Sequence, residues 1–170
     1  EYLQLYKELW TSENPSFDGK YYQISGSGFE PKPAQKPHPP IWIGGHTGPA
    51  IRRAAKYGDG WMPIGLRPPA ILDPEELGGK IARLRKLTVE AGRSEDAVDL
   101  TFSTSVVFND SIGSSREMMQ GQPEQIAADI RQYQDLGVSN FIIGLQGNTV
   151  PELQENMERF SREVMTLIPD

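Results

Sequence analysis

Apolar residues along the chain alternate between short continuous runs and runs with helical spacing. The continuous runs predict four main strands, at 41–43, 60–64, 100–108 and 141–145. Helical spacing predicts five helices, at 2–10, 49–57, 74–91, 123–136 and from 149 to the C-terminal end. Strands that alternate with helices favour a parallel sheet. The strands are apolar on both faces, as expected when helices cover one face and a packed interior covers the other.

Local sequence signals predict where several of these elements begin and end. Asp73-Pro74 and Thr149-Val150-Pro151-Glu152 are typical helix starts, and Gly58 is a predicted helix C-cap. The Asp-Gly pair within 17–22 predicts a turn into a short strand. Five prolines in 31–40 predict a surface loop before the first main strand. We expect the last helix to bury one apolar face, made of Leu153, Met157, Phe160, Val164 and Leu167.

The order of elements leaves two α/β folds open. Four strand–helix units make half of a (β/α)8 barrel, and they also make a small open sheet of the flavodoxin type. The 170 residues suit one domain but fall short of the about 250 of a whole barrel. The first residue is Glu1, so we expect the chain to be part of a longer protein.

Composition narrows the possible partners. The net charge of -6 does not favour binding to nucleic acid, whose phosphates attract basic proteins. Without cysteine the chain has no disulfide and no thiolate chemistry, which agrees with a cytoplasmic location. Two scattered histidines predict no metal site. No apolar stretch approaches the roughly 18 residues that cross a membrane, and no leader segment is evident.

Gly44-Gly45-His46-Thr47 connects the end of a predicted strand to the start of a predicted helix. Glycine lets the backbone approach a ligand and adopt positive φ, and the N–H groups at a helix start favour an anion. Thr47 could cap the helix and offer its hydroxyl to a phosphate. The alternative is a tight turn that binds nothing. His46 is either a ligand contact or an exposed loop histidine, and we expect His38 to be exposed.

Three segments together resemble one known family. They are 39–45, PPIWIGG, then 52–55, RRAA, and 58–61, GDGW. The chain is similar here to the bacterial luciferase-like monooxygenases, and especially to the actinobacterial branch that uses the deazaflavin coenzyme F-420. The segments 17–22 and 123–138 resemble that branch too.

This resemblance implies that residues 1–170 are one partial domain, the C-terminal half of a (β/α)8 TIM barrel. It implies a flavin- or deazaflavin-dependent oxidoreductase with a small-molecule substrate and F-420, or alternatively FMN, as cofactor. Gly44, Gly45, His46 and Thr47 would contact the cofactor phosphate. The other half of the barrel would supply much of the ring and substrate pocket, so the catalytic residues stay unknown. The alternative is a non-catalytic half-barrel that binds cofactor or self-associates.

The remaining candidate residues have modest roles. The segment Asp59-Gly60-Trp61 could hold the cofactor loop by hydrogen bonding, or it is a turn aspartate followed by a core tryptophan. We expect Trp61 to be a core residue, and both alternatives stay open for Asp59. Arg52, Arg53 and Lys56 could attract an acidic cofactor tail, although a solvated helix face is the expected reading.

Polar residues also occur in one strand and in one loop. Ser103, Thr104 and Ser105 sit in mid-strand and form no triad. The polar segment 109–121 is either a lid or a disordered loop.

Because a half-barrel exposes two strand edges and an apolar interior, we expect self-association, most simply a two-fold dimer.

Overall fold

The computed structural model describes residues 1–26, 28–69, 71–109 and 116–168. Within these residues the α-helices are α1 (Tyr2–Thr11), α2 (Gly48–Tyr57), α3 (Pro74–Glu90), α4 (Pro123–Asp135) and α5 (Val150–Arg159). The strands are β1 (Ser16–Asp18), β2 (Gln23–Ser25), β3 (Trp42–Gly44), β4 (Gly60–Met62), β5 (Asp99–Phe108), β6 (Gln120–Gly121) and β7 (Asn140–Leu145). A π-helical turn, Phe160–Val164, and a 3-10 turn, Met165–Leu167, follow α5.

The main sheet is parallel, as the alternation of strands and helices predicts. Its principal strands lie in the order β3, β4, β5, β7, and the short β6 pairs with the last residues of β5. The first two strands form a separate antiparallel hairpin around the predicted Asp-Gly turn. Because each crossover passes through a helix, the carboxyl ends of the main strands meet at one edge of the sheet.

The outer face of the sheet packs against the helices and forms the core. Ile43, Trp61 and Phe102 are buried there, together with Ile51 of α2 and Leu84 of α3. The Phe102 ring stacks on Tyr133 of α4, with ring centroids 4.3 Å apart. The predicted helical stripes therefore face this side of the sheet.

The inner face of the sheet is open to solvent within the described chain. Ser103 lies beside Ile64 on one side and Ile142 on the other, so these residues share one face. Ile64 and Ile142 are 49% and 50% exposed, and Trp42 of β3 is 40% exposed. The expected packed interior is therefore not completed by residues of this chain. We call this surface, which Trp42, Ile64 and Ile142 define, the inner face.

The prediction that the last helix buries its whole apolar stripe is wrong. Val164 is fully buried, but Leu153 and Leu167 are each 37% exposed and Met157 is 56% exposed. The physical reason lies in the sheet, since β7 pairs with β5 and with no other described strand. Because β7 is an edge strand, the helix that follows it packs against the sheet on one side only, and its other apolar residues stay exposed.

Two predicted helix signals are confirmed and one needs correction. The Asp73 side chain accepts the N–H of Glu76 at 2.8 Å, and Thr149 accepts that of Glu152 at 3.4 Å. Gly58 is the C-cap residue of α2, as predicted. Its φ is -81°, however, so the position does not need glycine for a left-handed backbone. A Cβ at this position would lie 3.0 Å from Ile43 and 3.1 Å from the Ala54 carbonyl oxygen. Close packing is therefore what selects glycine at 58.

Two further observations concern single segments. His38 is half-buried rather than exposed, with its ring 6.1 Å from that of Trp10, because the proline-rich loop folds back over α1. Of the predicted lid at 109–121, residues 110–115 lie outside the described residues. In the described part of the chain, no helix combines the length and apolar character needed to cross a membrane.

Candidate functional site

The predicted cofactor loop lies where β3 ends and α2 begins, at the carboxyl edge of the sheet. Gly45 has φ +92°, a backbone conformation that side chains other than glycine rarely adopt. Its N–H donates to the Met62 carbonyl at 3.4 Å, and its own carbonyl accepts the indole N–H of Trp61 at 2.7 Å. Trp61 is 1% exposed, so a core side chain fixes the backbone of this loop.

The next two residues leave hydrogen-bond donors available. Among the described residues, no backbone acceptor pairs with the N–H of His46 or of Thr47. Thr47 is the N-cap residue of α2, yet its hydroxyl makes no capping bond in the structure. The predicted helix cap at Thr47 is therefore not formed. Free N–H groups and a free hydroxyl at a helix N-terminus suit an anionic oxygen.

Two guanidinium groups lie beside this helix start. A Cβ built on Gly48 would be 3.5 Å from a guanidinium nitrogen of Arg52 and 3.5 Å from one of Arg83. Neither arginine forms an ion pair with an acidic side chain in the described parts of the chain. The sequence points to Arg52 but not to Arg83, which comes from α3 because α2 and α3 pack together. Both charges reinforce the positive potential of the helix N-terminus.

Asp59 does not hold the predicted cofactor loop. Its carboxylate accepts the N–H of Ile41 at 2.8 Å, and its carbonyl accepts the N–H of Asp99 at 2.9 Å. Both bonds lie at the amino ends of the strands, opposite the loop. In the same segment Trp61 is buried, as expected, and it is also the side chain that bonds to the loop.

The polar residues of β5 divide between the two faces of the sheet. Thr104 is 5% exposed on the outer face, and its hydroxyl has no hydrogen-bond partner within the described residues. Ser103 and Ser105 alternate with it and lie on the inner face, where Ser105 is exposed. Ser105 lines a cavity of about 490 Å³ at the carboxyl ends of the strands.

An ion pair that the sequence does not predict anchors the loop before α4. The Arg116 guanidinium contacts the Asp129 carboxylate through two bonds of 2.6 and 2.7 Å, and the N–H of Met119 donates to the same carboxylate at 2.7 Å. Asp129 is 1% exposed, so this carboxylate is buried but fully paired. Its hydrogen bonds raise the pKa of Arg116, which keeps the guanidinium charged. No signal in the sequence distinguishes Asp129 from a solvated helix residue.

Backbone strain marks the same edge of the sheet. Leu66, Leu72 and Met119 have φ values of +55°, +51° and +60°. Each such residue costs roughly 1–3 kcal/mol and persists only where surrounding contacts hold it. The N–H of Leu72 donates to the Glu76 carboxylate at 3.0 Å, and its carbonyl accepts the hydroxyl of Tyr133 at 3.1 Å. Burial raises the pKa of Tyr133, so this phenol stays protonated as the donor.

A parallel sheet with helices packed on one face only and loops gathered at one edge is typical of a (β/α) barrel, since a doubly wound open sheet carries helices on both faces. The family model for the luciferase-like monooxygenases matches residues 1–120, and the chain belongs to that family. An uncharacterized protein of Mycobacterium tuberculosis is 29% identical over 176 residues, with 99% of this chain and 52% of the relative covered. The chain thus spans about half the length of that relative.

Three other known proteins are similar over most of the chain. The FMNH(2)-dependent dimethylsulfone monooxygenase of Pseudomonas putida is 26% identical over 119 residues, which is 70% of this chain and 30% of that protein. An F420-dependent secondary alcohol dehydrogenase superimposes with a TM-score of 0.78 at 15% identity, covering 99% of this chain and 60% of that one.

The coenzyme F420-dependent tetrahydromethanopterin reductase of Methanopyrus kandleri superimposes with a TM-score of 0.74 at 13% identity, covering 98% of this chain and 61% of that one. At such low identity these superpositions show the fold alone. The predicted fold, half of a (β/α)8 barrel, is confirmed, and the flavodoxin-type alternative is excluded.

Proposed function

We propose that this chain forms the cofactor-phosphate-binding half of a flavin- or deazaflavin-dependent oxidoreductase that acts on a small molecule. The observation that carries the proposal is the loop of Gly44, Gly45, His46 and Thr47, which offers unpaired N–H groups at the start of α2. Family membership supports the oxidoreductase class.

The residues of this loop fit a phosphate group. Gly44 and Gly45 have no Cβ to obstruct the approach, and the positive φ of Gly45 is a backbone conformation that glycine adopts readily. The N–H groups of His46 and Thr47 and the Thr47 hydroxyl would donate to phosphate oxygens. Arg52 and Arg83 add attraction for an anion. The bound cofactor would supply the redox chemistry, and these residues would anchor it.

The deazaflavin F-420 is the cofactor we propose, with FMN as the alternative. The resemblance of segments 39–45, 52–55 and 58–61 to the F-420-dependent branch favours the first choice, and similarity to an FMNH(2)-dependent monooxygenase favours the second. The phosphate site serves either cofactor, since both carry a phosphate on the ribityl chain. The choice therefore depends on ring contacts outside the loop.

A titration with paired ligands tests the proposal. Fluorescence would follow binding of F-420, FMN and their phosphate-free counterparts, 8-hydroxy-5-deazariboflavin and riboflavin. We expect each phosphorylated ligand to bind about a hundredfold more tightly than its counterpart, because two charge-assisted hydrogen bonds contribute roughly 1.5–3 kcal/mol each. Equal affinities within both pairs would exclude a phosphate site. FMN binding more tightly than F-420 would exclude the F-420 assignment alone.

A non-catalytic cofactor-binding module is the second candidate function. The open inner face favours it, since the described residues leave the interior of the barrel uncovered. Tight cofactor binding would support this alternative if three reactions were all absent: reduction of the oxidised cofactor by alcohols, hydride transfer from the reduced cofactor to aldehydes or ketones, and O2-dependent oxidation of sulfones. Turnover would exclude it.

Self-association belongs to the same proposal. The exposed side chains of Trp42, Ile64 and Ile142 lie on one sheet face, and β3 and β7 are its two edges in the described structure. A second copy of the chain, related by a two-fold axis, would cover this face on both partners at once. A cytoplasmic location and the lack of nucleic-acid and membrane partners stay predictions.

A further inference from the structure

A cavity at the carboxyl edge of the sheet is separate from the cofactor loop. It has a volume of about 490 Å³ and lies among the residues that follow β4, β5 and β7. None of its described lining residues belongs to the loop of Gly44–Thr47. Its size falls in the range of about 300–1,000 Å³ that is usual for small-molecule sites.

The walls of this cavity are mainly apolar. Leu66 and Ile71 contribute from the segment after β4, Val107 from β5, and Met118 from the segment before β6. Ile71 is 46% exposed, so part of its apolar surface faces the open space. Such a lining favours a ligand with an apolar body.

The charged side chains at the cavity wall are hydrogen-bonded within the protein, and only Arg116 among them is paired with an opposite charge. Arg116 is held by Asp129, and the Glu117 carboxylate accepts the side-chain amide of Gln120 at 2.7 Å. An anionic ligand would therefore find no unpaired positive charge among the described lining residues, and the Glu117 carboxylate would repel it. A neutral ligand loses less hydration energy on entering such a site.

Two polar side chains at the wall keep free hydrogen-bonding groups. Among the described residues, neither the Ser105 hydroxyl nor the Gln146 side-chain amide has a hydrogen-bond partner. Ser105 is near the end of β5, and Gln146 directly follows β7, the strand that pairs with β5. Both groups donate and accept, so they suit a carbonyl or hydroxyl oxygen.

The backbone around the cavity is strained and firmly held. Leu66 and Met119 both have positive φ, and their N–H groups donate to the Ile71 carbonyl at 2.6 Å and to the Asp129 carboxylate at 2.7 Å. Backbone strain of this kind clusters at binding sites, where neighbouring contacts stabilise it. The described backbone beside the cavity is therefore held in place by specific hydrogen bonds at Leu66 and Met119.

We infer that this cavity binds an uncharged small molecule with an apolar body and one carbonyl or hydroxyl group, held by Ser105 and Gln146. That the ligand is the substrate of the enzyme rests on the proposed oxidoreductase function. The binding itself does not. The site lies at the carboxyl edge of the strands, the same edge as the cofactor loop, so a reduced cofactor and this ligand would share one side of the barrel.

Two probes of equal chain length test the charge preference. Ligand-observed NMR would measure binding of 2-octanone and of octanoate to the 170-residue chain in the absence of cofactor. We expect 2-octanone to bind at one site and octanoate at least tenfold more weakly. Octanoate binding as tightly as 2-octanone would overturn the inference.

Three variants locate the binding. Ser105→Trp should fill the cavity and weaken 2-octanone binding at least tenfold, and Gln146→Leu should weaken it several-fold without filling the space. The control Trp42→Ser removes an exposed apolar side chain of the inner face outside the cavity, and affinity should stay within twofold. No effect of Ser105→Trp or Gln146→Leu in a folded protein, checked by circular dichroism, would overturn the inference.

Equal losses in Trp42→Ser and Ser105→Trp would also overturn it, because they would show binding over the whole inner face. The test is independent of the proposed function. If 2-octanone fails to bind while F-420 or FMN binds through its phosphate, only the inference about the cavity falls. If 2-octanone binds but neither cofactor does, the proposed oxidoreductase role falls and the site remains.

Discussion

The indole N–H of Trp61 donates to the carbonyl oxygen of Gly45 at 2.7 Å, which joins the helix-covered core to the loop after the neighbouring strand. Trp61 lies on β4 and Gly45 directly follows β3. A residue that appears purely structural in the sequence thus fixes the loop proposed to bind phosphate. Core packing and ligand affinity should therefore be coupled at this position.

Trp61→Phe tests this coupling. The change keeps an aromatic side chain but leaves the Gly45 carbonyl without its donor, so we expect a stability loss of about 1–3 kcal/mol. Cofactor affinity should fall about tenfold, since the loop is held less firmly. The control Trp42→Phe alters an indole that lies over Gly60 and should leave affinity unchanged. Denaturant unfolding and calorimetric titration measure the two effects, and equal affinity losses in both variants would refute the coupling.

Gly45→Val tests the positive φ of the loop. Valine resists φ +92°, so the variant should lose about 1–3 kcal/mol of stability and at least a hundredfold in cofactor affinity. A Cβ at this position would meet Ala50 at an ordinary contact distance of 3.5 Å, so the cost is conformational rather than steric. Gly92→Val is the matched control because Gly92 has φ +76° and open space around it. It should lose similar stability but no affinity. A folded Gly45→Val variant with unchanged affinity would end the phosphate assignment.

Thr47→Ala separates a phosphate contact from a helix cap. Because the Thr47 hydroxyl caps nothing in the structure, its removal should change stability by less than about 0.5 kcal/mol. Cofactor affinity should fall by about tenfold, equivalent to one hydrogen bond to a charged oxygen. Thr149→Ala removes a formed cap and should show the reverse, with about 0.5–1 kcal/mol of stability lost and affinity kept. If the two variants lost the same stability and the same cofactor affinity, a phosphate contact by Thr47 would be excluded.

The helices and main strands were predictable because they depend on local patterns. Apolar spacing and the caps at Asp73 and Thr149 are properties of neighbouring residues, and the structure follows them closely. The half-barrel, in contrast, needed the family resemblance. The same order of elements suits an open sheet, and nothing local encodes how a sheet closes.

The features that the sequence did not predict depend on long-range contacts. Arg83 reaches the start of α2 only because two helices pack together, and the Arg116–Asp129 pair forms across a loop and nearly two turns of α4. The stripe of Leu153 and Met157 indicates burial, yet burial requires a neighbouring strand beyond β7. The bond from Trp61 to Gly45 crosses between strands, so the sequence could offer the segment 59–61 as a support for the loop but could not identify which side chain makes the bond.

Asp129→Ala tests whether the buried ion pair stabilises the loop before α4. The variant leaves the Met119 N–H without its acceptor and the Arg116 guanidinium with backbone carbonyls only, so we expect a loss of about 2–4 kcal/mol. The estimate lies below that for a fully buried pair because the Arg116 side chain is 21% exposed. Glu90→Ala breaks an exposed pair with Lys86 and should cost less than about 0.5 kcal/mol. Urea unfolding measures both, and similar small losses would show that the buried pair contributes little.

Ile142→Glu tests self-association through the inner face. Ile142 is 50% exposed on the edge strand β7, beside Ser103. If two copies cover each other's inner face, the wild-type chain should be a dimer at micromolar concentration. A carboxylate at this position would then be buried without a partner, so dimer affinity should fall at least a hundredfold.

Val89→Glu is the matched control for this change. Val89 is 55% exposed near the end of α3, away from the inner face, so the substitution adds the same charge to an equally exposed apolar position. Its dimer affinity should match that of the wild type. Light scattering and sedimentation equilibrium give the mass and the dissociation constant. A wild-type monomer at micromolar concentration would contradict the dimer, and equal weakening by both variants would show a general effect of charge rather than contact through the inner face.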